Sequence, residues 1–342
     1  LSSYKKKLKI SVIGCGNWGK NHIRVLHDLG VLHSISDQNP SNATHYSNTY
    51  KVPCYDFDDI MSNPEIDGVI IATPAPTHFN LAKRSLKAKK ATFVEKPLTL
   101  TMQEAQLLDQ EAKAQNCPLM IGHLLQYHPA FLKIKALKAS GALGKIQYIY
   151  STRLNLGKFR TEEDIWWSFA PHDVSMILAL IDDMPTQVIA SEAKYLQHTI
   201  SDITHAQLLF PKGEQAHIHV SWLHPYKEQK LIIITDKTML VFDDLAPWES
   251  KLKHYPYPEL WTDGLPSPCQ SQAENIPLDI SEPLKNQAEH FLKCIQENQK
   301  PLTDSAEAIR VLEVLLAAKN ALPKPVLQDK QASASTYYFD SV

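Results

Sequence analysis

No apolar run in this 342-residue chain approaches the ~18–20 residues that a membrane-spanning helix needs. Charge of one sign is also scarce: 35 Lys and Arg face 37 Asp and Glu, a net charge of −2. Neither a nucleic acid nor a membrane surface is therefore an expected partner. The one basic run, Lys5-Lys6-Lys7 with Lys9, reads as a solvated N-terminal flank. Cysteine is sparse, five residues with no Cys-x-x-Cys spacing, which argues against a disulfide framework or a zinc site and for a reducing compartment. The start, "LSSYKKKLKI", lacks the apolar core of a secretion signal, so a cytoplasmic location is expected. His217 and His219 alternate as on one face of a strand, and no metal site is expected there. Internal repeats and low-complexity segments are missing as well.

What remains is an ordinary globular composition, 44% apolar and 21% charged, at a length comfortable for two domains. Residues 9–123 alternate strand-like and helix-like segments, the pattern of a parallel sheet. Strands are expected at 9–14, 31–37, 50–55, 67–74, 91–96 and 118–123, with helices at 17–30, 56–61, 77–90 and 101–116. This predicts a doubly wound α/β Rossmann domain over 1–122. Beyond it the rhythm changes. A helix at 128–140 precedes longer strands at 145–154, 187–196, 204–210, 215–222 and 229–235, with a helix at 170–181 that has Pro171 in its first turn. Strands in runs predict an α+β domain over 123–342, with a large, mostly antiparallel open sheet. Residues 247–283 read as irregular surface structure, and 284–299 and 303–322 as amphipathic helices.

Three stretches carry chemistry. "GCGNWG" follows a strand and opens a helix, so Gly14, Gly16, Asn17, Trp18 and Gly19 are candidates to cradle a pyrophosphate at a helix N-terminus. Asp37 closes the second strand, where an acid accepts from the adenosine ribose and repels a 2′-phosphate; NAD is the expected cofactor. A Rossmann fold serving another ligand, such as S-adenosylmethionine, is the alternative. "ATPAPTH" puts Thr73, Pro74 and His78 over the cofactor side of the sheet, or serves as a purely architectural turn. "ATFVEKPLT" ends an apolar strand on Glu95, Lys96 and Pro97. Lysine is costly to bury unless it is paired or used, and the carboxyl edge of such a sheet is where ligands bind. The Lys96-Pro97 bond is a candidate cis peptide.

The order and spacing of these three motifs resemble the Gfo/Idh/MocA dehydrogenase family, and the likeness extends to "APHDVSMIL" (170–178) and "TDSAEAIRVLEVLLAAKNA" (303–321). The resemblance implies an N-terminal domain that binds NAD(P) and a C-terminal domain that covers the substrate and builds a homodimer or homotetramer. It implies that Lys96 acts at the substrate hydroxyl beside the nicotinamide and that His172 is the general base. The family commonly has an aspartate four residues before this histidine, where this chain has Ser168, and often an acid three residues after, where it has Ser175. Asp173 is kept as a second candidate carboxylate. His123, Tyr127 and His128, and then Arg153, Asn155, Lys158 and Arg160, are candidates to meet an anionic, hydroxyl-rich ligand, with Ser168 and His172 beside them.

Details of 152–178 and 220–244 resemble a bacterial branch of sugar-nucleotide dehydrogenases. They imply oxidation at C3 of UDP-N-acetylglucosamine, for surface polysaccharide or lipid A. A UDP-N-acetylglucosaminuronate 3-dehydrogenase, an inositol or free-sugar dehydrogenase, and a non-catalytic NAD-binding sensor stand as alternatives.

Overall fold

The structure, a computed structural model, describes residues 7–157, 159–161, 163–256 and 272–323, with the backbone alone at 261–262 and 265–266. Lys5, Lys6 and the candidate Lys158 lie outside the described residues. Five short strands, β1 (Ile10–Ile13), β2 (Leu32–Ser36), β3 (Gly68–Ile71), β4 (Ala91–Val94) and β5 (Leu119–Ile121), form a parallel sheet in the order β2-β1-β3-β4-β5. Strands β1, β3 and β4 are buried on both faces because both faces are covered. Ile10, Val12, Ile70 and Phe93 pack on one side with Ile23 and Leu26 of α1 (Gly19–Asp28). Ile13, Val69, Ile71 and Val94 pack on the other, against α3 (Phe57–Ser62), α4 (His78–Lys87) and α5 (Met102–Gln115).

The expected strand at 50–55 is corrected. Residues Pro40–Tyr50 are a helix, α2, capped by Asn39, whose side chain accepts from the Ser41 N–H. Residues 51–55 meet the sheet through an isolated bridge between Ile35 and Cys54. Lys96-Pro97 is cis.

After α6 (Pro129–Ala139), a second sheet uses β6 (Ile146–Leu154), β7 (Gln187–Ala193), β8 (Ile203–Leu209), β9 (Gln215–Ser221), β10 (Glu228–Thr235), β11 (Thr238–Asp243) and β12 (Leu252–Pro256). A two-residue strand at Glu274–Asn275 completes eight strands in the order 274–275, β12, β11, β10, β6, β9, β8, β7. Only the β6–β9 pairing is parallel among its described strands. Strand β12 lies within 247–283, which is therefore not irregular throughout.

One face of this sheet carries Ile149, Ile218, Leu231, Ile233 and Leu240, buried against α7 (Ile165–Ile181). The other face presents Tyr148, Tyr150, Ile232, Ile234, Met239 and Val241, half-buried with no element over them among the described residues. Helix α7 begins five residues before the expected start, at an Asp164 cap that accepts from the Trp167 N–H, so Pro171 stands inside it.

The last two helices tie the sheets together. From α8 (Pro283–Glu297), Leu284, Ala288 and Phe291 bury themselves on the first sheet. The chain then passes beside β5, where Thr303 accepts from the Ile121 N–H at 2.8 Å and its hydroxyl donates back to the Ile121 carbonyl at 2.7 Å. In α9 (Ser305–Ala321), Ala308 and Leu312 belong to the core of the first sheet, while Val311, Val314, Leu315 and Ala318 belong to that of the second. Among the described residues, no helix is long and apolar enough to cross a membrane.

Candidate active site

The glycine turn after β1 divides into two jobs. A Cβ on Gly14, which has φ +91°, would stand 2.8 Å from the Ala72 carbonyl oxygen, and one on Gly19 would stand 1.8 Å from that of Gly14. Those two glycines let β1, β3 and α1 approach. A Cβ on Gly16 meets nothing within 4 Å, so the small residue there keeps open a space that the protein does not use. Helix α1 starts beside it with no side-chain cap and no acid in its first turn. Its free N–H groups and positive end suit a phosphate. Asn17 and Trp18 flank this space, exposed. Asp37 sits at the end of β2, its carboxylate accepting the Cys15 N–H at 2.5 Å and the Asn39 N–H at 2.7 Å. Glycine turn, helix start and acid fit a dinucleotide.

Four of the cofactor candidates, His78, Thr73, Pro74 and Glu95, are engaged in hydrogen bonds within the protein. The ring nitrogens of His78 face the carbonyls of Pro97 at 2.7 Å and Thr73 at 2.8 Å, so this buried side chain fastens the two turns to each other. Burial pushes its pKa down, against the pull of those carbonyls. Thr73 shares a hydroxyl contact with Thr77 at 2.7 Å, and the Pro74 carbonyl accepts from the Thr77 N–H. Glu95 turns inward to the buried His22 of α1, Nε2 to Oε1 2.7 Å. His22 was not legible as a partner, since 73 residues separate the two.

Lys96 leaves β4 towards α7. Inside that helix Pro171 has no N–H to give, so the Trp167 carbonyl loses its ladder bond. The next carbonyl, of Ser168, accepts from Lys96 Nζ at 2.8 Å. Burial lowers the Lys96 pKa; Glu163 and Glu95 pull it up, while Arg160 and Arg153 push it down. One turn along the same face stands His172. Burial, then Arg153, Lys96 and His123, hold its pKa well below 6.5. Ser168 Oγ and His172 Nδ1 are both buried without a hydrogen-bond partner. Residues four apart share a helix face, so the two unpaired polar atoms lie on the turn of α7 whose Ser168 carbonyl Lys96 reaches.

Asp173 points the other way. Its carboxylate takes Arg153 Nε at 3.0 Å, Arg153 Nη2 at 3.1 Å and the Ser151 hydroxyl at 2.7 Å. This buried pair pins α7 to β6, and it spends both Asp173 and Arg153 on each other. Asn155 follows β6 with its N–H on the Ser221 carbonyl. Arg160 is exposed and paired with Glu163. The Tyr127 hydroxyl contacts Thr303 Oγ1 at 3.0 Å, and His128 caps α6 by accepting from the Ala130 N–H.

His123 lies at the end of β5 with Nδ1 2.6 Å from Oε2 of Glu307, a residue of α9 that lies inside the 303–321 stretch but is not singled out from it. Two cavities lie away from these groups. One, about 410 Å³, is bordered by Asp109, Lys113, Lys300 and Asp304. The other, about 390 Å³, is on the open sheet face beside His205, His217 and His219.

The glycine turn lies at the carboxyl edge of a parallel sheet, from which Lys96 reaches the helix that carries His172. Residues 8–123 match the NAD-binding Rossmann model of the Gfo/Idh/MocA oxidoreductase family and 131–241 match its C-terminal domain model. The chain belongs to that family.

Among its relatives, the Escherichia coli oxidoreductase YdgJ is 30% identical over 57% of this chain and 59% of its own length. The chain thus spans about six tenths of YdgJ, and likewise 61% of the Bacillus subtilis oxidoreductase YrbE. The UDP-N-acetylglucosamine 3-dehydrogenase of Acidithiobacillus ferrooxidans is 25% identical over 92% of this chain and 97% of its own. The solved structure of that enzyme superposes with a TM-score of 0.81 at 24% identity, covering 92% of this chain and 97% of the other.

Proposed function

We propose that this chain is an NAD-dependent dehydrogenase that oxidises the C3 hydroxyl of a nucleotide-linked N-acetylhexosamine, UDP-N-acetylglucosamine first. The observation that carries the reaction type is the bond of Lys96 Nζ to the Ser168 carbonyl, on the turn of α7 that holds the unpaired Ser168 Oγ and His172 Nδ1. Bound NAD supplies the hydride acceptor. The residues of the chain hold the carbinol and take its proton. Lys96 spends one donor on Ser168 and has others for the substrate oxygen, where an ammonium stabilises alkoxide character. His172, kept neutral by burial and the cations around it, accepts the hydroxyl proton. The Ser168 hydroxyl orients the ring.

The near full-length likeness to the A. ferrooxidans enzyme supports the nucleotide sugar. A second reading, an inositol, is favoured by the B. subtilis scyllo-inositol 2-dehydrogenase, 22% identical over 92% of this chain. The half-buried face of the second sheet belongs, in the same reading, to contact with a second copy of the chain, which light scattering on the purified protein would test.

A panel of UDP-sugars, inositols and free sugars, followed at the NADH absorbance, separates these substrates. UDP-N-acetylglucosamine is expected to turn over, and Lys96→Ala to lower kcat by about 10²–10⁴ while NAD still binds. Turnover of inositols with none of UDP-sugars would favour the second reading. NAD binding with no turnover of any sugar would refute both.

A further inference from the structure

The carboxylate of Glu307 is spent entirely on the two elements that frame the reacting residues. Its Oε2 lies 2.6 Å from Nδ1 of His123, which is 3% exposed. Its Oε1 accepts from the Ser175 hydroxyl at 2.6 Å. Ser175 is three residues beyond His172 on α7, and its hydroxyl and carbonyl are both held by the Gln126 amide at 2.9 Å. A chain of bonds therefore runs from β5 through Glu307 to the helix that carries His172 and Ser168.

An ionised carboxylate only accepts, so His123 must carry its proton on Nδ1 and the Ser175 hydroxyl must point at Glu307. The charged groups whose field acts on His172 are Arg153 of β6, Lys96 beyond β4 and His123 beyond β5. On α6, Lys135 also feels Glu307. Glu307 sits in the first turn of α9, where a helix favours negative charge, and its side chain is 20% exposed. A serine at position 175 supplies no charge of its own. The anion comes from another helix, 132 residues away.

We propose that Glu307 is a positioning residue of the active site: it locks the tautomer of His123, anchors α7 through Ser175, and thereby sets the place of His172 against the substrate hydroxyl. This rests on the assignment of Lys96 and His172 above.

Two readouts on the full chain test it. In the first, histidine ¹⁵N resonances of the unliganded protein, assigned with His123→Asn, report the tautomer. The wild type and Glu307→Asp are expected to show the Nδ1–H form, and Glu307→Ala to lose it. The second uses whichever substrate the panel identifies. Glu307→Ala is expected to lose at least tenfold in kcat with Kd for NAD within about twofold, and Glu307→Asp to recover most of it. Joined to His123→Asn, Glu307→Ala should lose little more than either change alone, as groups acting as a unit do.

A kcat loss with the His123 tautomer unmoved would overturn the proposal. So would a Glu307→Ala enzyme of full activity, or a fall in kcat that simply follows the melting temperature and is not rescued by Asp. If Glu307→Ala does not fold, Glu307→Gln replaces it, since one amide oxygen can serve only one of the two donors. Should no sugar turn over, the resonance experiment still judges Glu307 by itself.

Discussion

Asp173→Asn would leave the Arg153 guanidinium without its anion in a site where the two side chains are 9% and 1% exposed. The native pair is bidentate at 3.0 and 3.1 Å, and Ser151 satisfies a further lone pair. Removing one partner of such a buried pair costs about 3–5 kcal/mol, most of it the penalty of an uncompensated charge. Asparagine keeps one carbonyl to accept a guanidinium N–H, which places the cost near about 3 kcal/mol. At roughly 2–4 °C per kcal/mol for a domain of this size, the melting temperature should fall by roughly 6–12 °C. Calorimetry with urea unfolding as a second probe reads this directly. The double variant Arg153→Met with Asp173→Leu should recover most of the loss, because neither charge is then stranded. A single variant that melts like the wild type while kcat collapses would refute the reasoning, and would move Asp173 into the chemistry.

Gly16→Ala should fold normally and bind NAD poorly, because its Cβ has open space in the protein and fills the phosphate cradle; Gly19→Ala should lose stability instead, with a Cβ 1.8 Å from the Gly14 oxygen. Isothermal titration with NAD and a thermal melt separate the two outcomes. Stability should also fall in acid below pH ~6.5. His172 is held well below its ordinary pKa, and burial pushes His128 down to about 4. Below pH ~6.5 the unfolded chain takes up protons at these sites that the folded chain refuses, so each contributes up to about 1.4 kcal/mol per pH unit, and nothing above that pH. For His128 the loss runs down to about 4. Urea midpoints between pH 7.5 and 4.5 would show the decline, and a flat profile would contradict it.

The alternation of apolar strands and amphipathic helices made the first sheet legible, since β1, β3 and β4 are buried on both faces. Helix α2 escaped notice because "PSNATHYSNTY" buries only Ala43 and has no apolar stripe. Its signals were Asn39 as cap and Pro40 at the first turn. The start of α7 was misplaced for a related reason. Proline is common in a first turn, and Asp164 is the true cap, seven residues earlier. In the site, Lys96, His172 and the glycine turn stood in local motifs. Partnerships that span the fold left no such trace. Glu95 with His22, Asp173 with Arg153, and Glu307 with His123 are 73, 20 and 184 residues apart, and each depends on packing that no window of sequence contains.

Helix α9 gives alternate sides to two cores, Ala308 and Leu312 to one and Val311, Val314, Leu315 and Ala318 to the other. Neither sheet can melt without stripping apolar area from the other, so the two sheets are joined in one cooperative unit. If a dinucleotide binds beside Gly16, as proposed, it would therefore lend its binding free energy to strands it never touches. Cofactor occupancy becomes, in effect, a thermostat for the whole chain.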